Sequence, residues 1–147
     1  MPADGYFEWD KADKTPHLFR PKDLSLFGFA GIWEAWTDPA RPGASRQGRA
    51  DGTTPLRSCA ILTTQASTLV APLHDRMPVL LPPEAWPAWL GEAKVDHAAL
   101  RALLRPGGDE GFTDTIVSKR VNSHVNDDQA CIEPAAPETS VPRDRLL

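Results

Sequence analysis

The densest group of polar side chains able to do chemistry is the segment His74-Asp75-Arg76-Met77-Pro78. It lies between a predicted short helix (68–73) and a predicted strand (77–81), a junction that places side chains at the rim of a sheet. A histidine there titrates near neutral pH and can exchange protons, and an arginine can hold a phosphate. The alternative is a solvated turn in which Asp75 satisfies local backbone donors. The segment alone leaves both interpretations open.

Glu8 is the second candidate, because it lies between Phe7 and Trp9 in a predicted strand. A carboxylate among aromatic rings needs either a raised pKa or a specific partner, since burying a bare charge is costly. The alternative is a side chain that points to solvent. Trp9 could stack a nucleic-acid base or be part of the core.

The four histidines, at positions 17, 74, 97 and 124, do not have the spacing of a metal-binding pair, and neither cysteine is near them. The sequence also has no glycine-rich phosphate loop and no G-x-S-x-G motif. We therefore predict no metal site and no cofactor.

The net charge of −4 over 147 residues argues against strong nonspecific binding of duplex DNA. Within 37–57, however, four arginines accompany two aspartates in a long segment rich in Gly and Pro. This composition predicts a long loop with a local basic surface.

The two cysteines, Cys59 and Cys131, lie far apart without a C-x-x-C spacing. Cys59 is within an apolar run and is predicted to be a small core residue. The first residues do not have the basic and apolar regions of a signal peptide, and no apolar run is long enough to span a bilayer. These features predict a reduced, cytoplasmic protein without a membrane partner.

The candidate residues must be positioned by a set of short strands and helices. Apolar patterns predict strands at 6–9, 16–20, 27–36, 57–64, 77–81 and 114–121, of which 27–36 and 57–64 are predicted to be buried. Besides 68–73, helices are predicted after Pro82, with Trp86, Trp89 and Leu90 on one face, and after the capping residue Asp96.

Strands with inserted helices, without regular βαβ alternation, predict the α+β class. One domain is predicted over 1–132, with 37–57 as its long loop and 133–147 as a flexible tail.

Five blocks of the sequence resemble, in the same order, those of the SOS-response-associated peptidase (SRAP) family, the abasic-site-processing proteins. The blocks are Pro2-Ala3-Asp4-Gly5-Tyr6-Phe7-Glu8-Trp9, 29–36, 58–66, His74-Asp75-Arg76-Met77-Pro78-Val79 and the positions 117–118, 121–123 and 126–127. The resemblance covers almost the whole chain, and the fourth block is the most diagnostic. It implies a mostly antiparallel, barrel-like β-sheet core with a few short helices.

The resemblance also implies an activity: capture of an abasic site in single-stranded DNA, whose opened sugar is an aldehyde. In the family an N-terminal cysteine attacks through its amine and closes a thiazolidine with its thiol, which crosslinks protein and DNA. By motif position Glu8 and His74 are the catalytic residues, Glu8 contacting the opened sugar and His74 serving Schiff-base chemistry. Arg76 is expected to bind a neighbouring phosphate, and Trp9 and Thr63 to line the DNA path. Association with the nucleoid on DNA binding is a further expectation.

The sequence departs from the family at its start. In the family a long stretch with the nucleophilic cysteine precedes the Pro-Ala-Asp-Gly block, with which this sequence begins. Cys59 and Cys131 cannot replace that cysteine, because the thiazolidine needs an amine and a thiol on one N-terminal residue. We therefore expect a C-terminal portion of the family domain that is inactive alone, because the N-terminal cysteine is missing.

Two alternatives differ in class from this expectation. One is a noncovalent module that binds single-stranded DNA or a partner and complements a separately encoded N-terminal half. The other is an unrelated α+β module without catalysis.

Overall fold

The computed structural model describes residues 1–36, 56–107 and 109–136. Most of the predicted loop 37–57 and residues 137–147 of the predicted tail lie outside the described residues, so the domain boundaries stay a prediction. Within the described part, none of the helices is long and apolar enough to cross a membrane.

The regular structure of the described residues consists of short strands and two short α-helices. The strands are β1 (Pro2–Ala3), β2 (Tyr6–Trp9), β3 (Pro16–Pro21), β4 (Phe27–Phe29), β5 (Gly31–Trp36), β6 (Leu56–Ile61), β7 (Thr63–Gln65), β8 (Arg76–Pro78), β9 (Leu80–Leu81) and β10 (Phe112–Ile116). The α-helices are α1 (Trp86–Trp89) and α2 (His97–Ala102), and 3-10 helices span Pro83–Ala85, Lys119–Asn122 and Gln129–Cys131. The strand pairs are antiparallel, which confirms the predicted α+β class.

The sheet that carries Glu8 has the strand order β10-β3-β2. Its register sets Glu8 opposite His17 and Tyr6 opposite Phe19, and on the other side of β3 it sets Asp114 opposite Phe19. Opposed residues point to the same face of a sheet, and so do alternate residues of one strand. Glu8, His17 and Asp114 therefore share one face with the aromatic rings.

That face packs against the segment that precedes His74. The apolar cluster consists of the buried side chains of Phe19, Val70, Leu73 and Met77, with Tyr6 and Phe112 packed against them. The rings of Tyr6 and Phe19 are stacked, with centroids 5.1 Å apart. Since stacked rings bury a large apolar area, this contact joins β2 to β3. The packing of Phe19 with Val70, Leu73 and Met77 holds the sheet against the His74 segment.

A second cluster lies between β4, β9 and α1. It consists of Ala30, Val79, Leu81 and Ala85, with Trp86 and Trp89 packed against them. The indole N–H groups of the two tryptophans donate to the carbonyls of Leu81 and Gly31, at 3.0 and 3.1 Å. Pro87 lies in the first turn of α1, where a missing N–H costs no helical hydrogen bond. Leu90 follows the last helical residue and is exposed, unlike the tryptophans.

The prediction that 27–36 is one buried strand is wrong. Ala30 divides it into β4 and β5, because the Ala30 N–H donates to Val79 and its carbonyl accepts from Leu62. β5 pairs with β6 in a two-stranded ribbon that is exposed along most of its length, and Trp33 on it is 72% exposed. An apolar pattern predicts a strand, but it does not specify the layers that cover it. In the described residues no third strand joins this ribbon.

The predictions for Cys59 and for the buried strand 57–64 are wrong for the same reason. Cys59 is exposed on β6, whereas Cys131 is buried. The predicted strand is also interrupted at Leu62, after which β7 pairs with β8 in a different sheet. The described strands form four separate sheets and do not close into one barrel-like sheet.

Local capping and turn chemistry decide the remaining elements. Asp96 caps α2, as predicted, by accepting a hydrogen bond from the Ala99 N–H at 2.7 Å. Residues 68–73, predicted as a helix, form a series of hydrogen-bonded turns, in which Pro72 has no N–H to donate. The predicted strand 114–121 ends at Ile116 and is followed by a 3-10 helix.

Candidate active site

Glu8 lies in the middle of β2, half-buried, on the face that covers the first apolar cluster. Its Oε1 accepts a long hydrogen bond from the Trp9 backbone N–H at 3.3 Å. Burial raises the pKa of Tyr6, and the Glu8 carboxylate raises it further, which requires the two side chains to be close. Glu8 therefore lies at the border between the core and solvent.

His74 lies in the turn before β8, and its Nδ1 is close to one hydrogen-bond donor and one hydrogen-bond acceptor. The Arg76 backbone N–H donates to Nδ1 at 3.0 Å, and the Asp75 Oδ1 lies 3.0 Å from the same atom. A neutral imidazole can accept from Arg76 and carry its proton on Nε2, whereas a protonated one can donate to Asp75. Nδ1 of His74 therefore has a partner in either protonation state, and protonation exchanges the Arg76 N–H for the Asp75 carboxylate as that partner.

The Asp75 carboxylate also links this turn to the loop that follows Glu8. Lys11 Nζ, three residues beyond Glu8, lies 3.5 Å from Asp75 Oδ1. The pKa of Asp75 is lowered, first by a hydrogen bond to its own backbone and then by the Lys11 charge. Both side chains are exposed, so the ion pair adds little stability, but it reports that the two loops are adjacent.

Arg76 and Thr63 form one unit across the β7–β8 sheet. The Arg76 Nε and Nη2 donate to Thr63 Oγ1 at 2.9 and 2.7 Å, and Nη2 also donates to the Thr63 carbonyl at 2.6 Å. Both residues are exposed. An arginine pre-oriented in this way at the surface can present its remaining N–H groups to a phosphate.

The core and the loops together bring the Glu8 strand and the His74 turn side by side. Tyr6, two residues before Glu8, packs against the cluster that contains Leu73 and Met77. Those two residues directly flank the segment His74-Asp75-Arg76. The catalytic and phosphate-binding roles of these residues stay predictions.

Trp9 lies on the other face of the sheet from Glu8, because neighbouring residues of a strand alternate. Its indole N–H donates to Asn122 Oδ1 at 2.7 Å, and its ring is tilted against Phe7 at a centroid distance of 6.1 Å. The structure therefore does not group Trp9 with Glu8, and its role in lining a DNA path stays a prediction.

Two residues on the face of Glu8 were missed by the sequence interpretation. His17 Nδ1 lies 2.8 Å from Asp114 Oδ1, and their side chains are 12% and 28% exposed. One signal could have found His17: pairing the predicted strands 6–9 and 16–20 as a hairpin sets His17 opposite Glu8. Asp114 lies 97 residues beyond His17, and no local pattern indicates their contact.

A cleft of about 1020 Å³ lies elsewhere on the molecule and does not include Glu8, His74 or Arg76. Asp109 is at its wall, where the Thr68 hydroxyl and the Thr68 and Leu69 N–H groups donate to it. The neighbouring hydroxyl groups of Ser67 and Thr68, followed by those backbone donors, lower the pKa of Asp109 to about 2. These contacts make Asp109 a structural anchor for the turns before His74.

Among residues 1–36, 56–107 and 109–136, no group of three or more His, Cys, Asp or Glu side chains is arranged to hold a metal ion.

Comparison with known proteins shows which family the chain resembles. A family model described as SOS response associated peptidase (SRAP) matches residues 1–124. The abasic site processing protein YoqW of Bacillus subtilis (strain 168) is 35% identical over 136 residues, covering 90% of this chain and 55% of that protein. The abasic site processing protein HMCES of Gallus gallus is 30% identical, covering 97% of this chain and 44% of that protein.

The fold has a solved relative as well. The crystal structure of a protein from Bacteroides thetaiotaomicron superposes with a TM-score of 0.73 at 25% identity, covering 92% of this chain and 56% of that chain. The chain spans about half the length of the curated relatives it matches.

Fold and site together define an α+β protein of short antiparallel sheets, in which the strand of Glu8 and the turn of His74 and Arg76 meet at one apolar cluster. The chain belongs to the SOS response associated peptidase (SRAP) family, as its sequence blocks predict.

Proposed function

We propose that this chain takes part in the processing of abasic sites in single-stranded DNA. Glu8 and His74 transfer protons at the sugar, and Arg76, supported by Thr63, holds a phosphate beside it. The observation that carries the proposal is the packing of the Glu8 strand against the residues that flank the His74 turn. The names of the relatives support abasic DNA as the target.

The chemistry needs two proton movements. The closed sugar of an abasic site is a hemiacetal, which opens to an aldehyde when its C1 hydroxyl loses a proton and its ring oxygen gains one. A carboxylate and an imidazole close to the same sugar can perform these two transfers. His74 suits this task because Nδ1 has a partner in either protonation state.

The covalent step needs a further group. A thiazolidine forms when an amine and a thiol on one residue both add to the aldehyde carbon and one water leaves. Cys59 and Cys131 are internal, so their nitrogen atoms are amides and cannot act as that amine. We therefore expect a polypeptide of these 147 residues to bind abasic DNA and promote ring opening without becoming crosslinked to it.

The test supplies the amine and the thiol in solution. The 147-residue chain is mixed with a single-stranded oligonucleotide containing one abasic site and with free cysteine, and thiazolidine formation on the DNA is followed by mass spectrometry. We expect the chain to accelerate this reaction, and Glu8→Gln or His74→Gln to reduce the acceleration about 100-fold, a usual contribution of a general acid or base. His97→Gln, on the exposed surface of α2, is the matched control and should retain the acceleration.

The outcomes separate the parts of the proposal. A rate equal to that of the DNA alone would remove proton transfer from the function. Equal affinity for abasic and intact oligonucleotides would remove abasic-site recognition. A covalent adduct of the chain itself, stable to denaturation, would contradict the expected inactivity in crosslinking.

The second candidate function is binding of a separate polypeptide that completes the site. It is favoured by the exposed apolar side chains of Ile32, Trp33 and Trp36 on the β5–β6 ribbon. Exposed apolar surface of this kind is typical of interaction sites. This function predicts that the DNA reaction stays slow with free cysteine and becomes fast when that polypeptide is added.

A further inference from the structure

Stability alone does not explain why His17 and Asp114 form a partly buried pair. The imidazole is 12% exposed and its partner carboxylate 28%, with 2.8 Å between Nδ1 and Oδ1. Desolvating a charged pair offsets much of its Coulombic gain, and two apolar residues would stabilise a sheet equally well. The neighbouring side chains therefore have to explain why a charged pair occupies this position.

The neighbour on the same face of the sheet is Glu8. Glu8 and His17 are directly opposed across β2 and β3, which sets their Cβ atoms about 4.5–5.5 Å apart. The Glu8 carboxylate accepts from the Trp9 N–H, and no hydrogen bond to His17 is present among the described residues, so proton transfer between them requires a rotation of the Glu8 side chain. Three titratable side chains from three adjacent strands thus lie in a row across one face, in the order Asp114, His17 and Glu8.

Asp114 determines which nitrogen of His17 is free. An ionised carboxylate only accepts hydrogen bonds, so the Nδ1 of His17 must be the donor in this contact. In the neutral imidazole the Nε2 lone pair then remains, and none of the described residues donates to it. His17 is therefore held in the tautomer that can accept a proton at Nε2.

We propose that His17 and Asp114 are positioning residues that act through Glu8 as a proton relay, an inference that rests on the proposed function. When the Glu8 carboxylate takes the proton of the C1 hydroxyl, it passes a proton to His17 Nε2. The resulting imidazolium keeps its Nδ1–H on Asp114, whose carboxylate stabilises the charge. Glu8 is then again a carboxylate, and the proton on His17 returns by the same path or leaves to water.

The first arm of the test uses the free-cysteine reaction and a double-mutant cycle. Asp114→Asn replaces one acceptor oxygen with an amide donor and removes the negative charge, so the proton of neutral His17 is no longer held on Nδ1. We expect this variant to lower the accelerated rate about 10-fold or more with little change in affinity for abasic DNA. In a Glu8→Gln background the same substitution should have no further effect, because the relay has already lost its first member. Asp127→Asn, at an exposed position, is the matched control.

The second arm does not depend on activity. In the ¹⁵N-labelled chain, NMR should show the proton of neutral His17 on Nδ1, and Asp114→Asn should move it to Nε2. Glu8→Gln should change the Nε2 chemical shift, since the two groups are opposed. An Nε2–H tautomer in the unsubstituted chain, or an Nε2 shift insensitive to Glu8→Gln, overturns the relay.

The two proposals fail in different ways. If the chain accelerates the reaction but the effects of Asp114→Asn and Glu8→Gln multiply independently, the relay is wrong and the proposed function stands. If the chain gives no acceleration, the proton-transfer function is wrong, and the NMR arm still decides whether His17 and Glu8 are coupled.

Discussion

The guanidinium of Arg76 is held by the hydroxyl and the carbonyl of Thr63, two residues whose strands are adjacent in a two-stranded sheet. The contact orients a cation at the surface immediately beside His74. Because Arg76 also donates its backbone N–H to His74, a single residue connects the proton-transfer group and the cation.

If Arg76 binds a phosphate, Arg76→Ala should weaken binding of single-stranded abasic DNA about 10-fold. It should also make the slope of log K against log salt concentration shallower by about one unit. Each phosphate contact releases counterions, and the variant makes one such contact fewer. Fluorescence anisotropy at several salt concentrations measures both quantities. Thr63→Val, which removes the hydroxyl acceptor and keeps the carbonyl, should have a smaller effect of the same sign.

Arg101→Ala is the control for charge alone, since Arg101 is an exposed cation on α2. We expect it to leave the affinity and the salt dependence unchanged. Equal losses for Arg76→Ala and Arg101→Ala would mean that net charge matters and a specific phosphate contact does not.

Asp109 should make stability sensitive to acid. Its pKa in the folded chain, about 2, lies below its ordinary value of 3.8, so the folded state favours the carboxylate. This contribution to the free energy of unfolding is complete above the unfolded-state pKa and is lost as pH falls from about 4 through 2. Asp109→Asn should lower stability at neutral pH and flatten the decline between pH 4 and 2. Urea unfolding across this range, with Asp127→Asn as control, measures the difference; parallel curves for both variants would contradict the assignment.

The same substitution, valine to alanine, can be made at a buried position, Val70, and at an exposed one, Val125. Val70 is 1% exposed in the first apolar cluster, whereas Val125 is 74% exposed. Val70→Ala should cost about 2 kcal/mol through lost burial and a residual cavity, and Val125→Ala should stay within about 0.5 kcal/mol of zero. Denaturant unfolding of both variants tests the packing of the turns that precede His74. Similar costs for the two would show that this packing is not formed.

The two cysteines should differ in reactivity, because Cys59 is exposed and Cys131 is buried. A thiol reagent such as DTNB should modify Cys59 quickly in the folded chain and Cys131 only after unfolding. Cys59→Ser should remove the fast phase and leave the slow one. Protection of Cys59 in the unsubstituted chain would show that another surface covers the β5–β6 ribbon.

Features that depend on short segments could be predicted from the sequence. The patterns at 6–9 and 16–20 predicted the strands β2 and β3, and Asp96 predicted the start of α2, because pleating and capping involve residues that are neighbours in the chain. The apolar run around Trp33 predicted a strand for the same reason. It did not predict exposure, since burial depends on the layers that other segments supply.

Some residues of the candidate site could be identified from the sequence, and others could not. Glu8 and His74 were identified by residue type, neighbours and the family blocks in the sequence. The row of Asp114, His17 and Glu8 could not be identified, because its members come from three strands and the outer two are separated by more than 100 positions.

By itself the sequence determined the family, the α+β class and the residue types that can transfer protons or hold a phosphate, since all of these are properties of local patterns and side-chain chemistry. Tertiary structure alone decided that Thr63 supports Arg76, that Trp9 donates to Asn122 and that Asp114 binds His17. Each of these requires distant segments to be brought within hydrogen-bonding distance, and it is the burial of Tyr6, Phe19 and the segment before His74 in one cluster that does so.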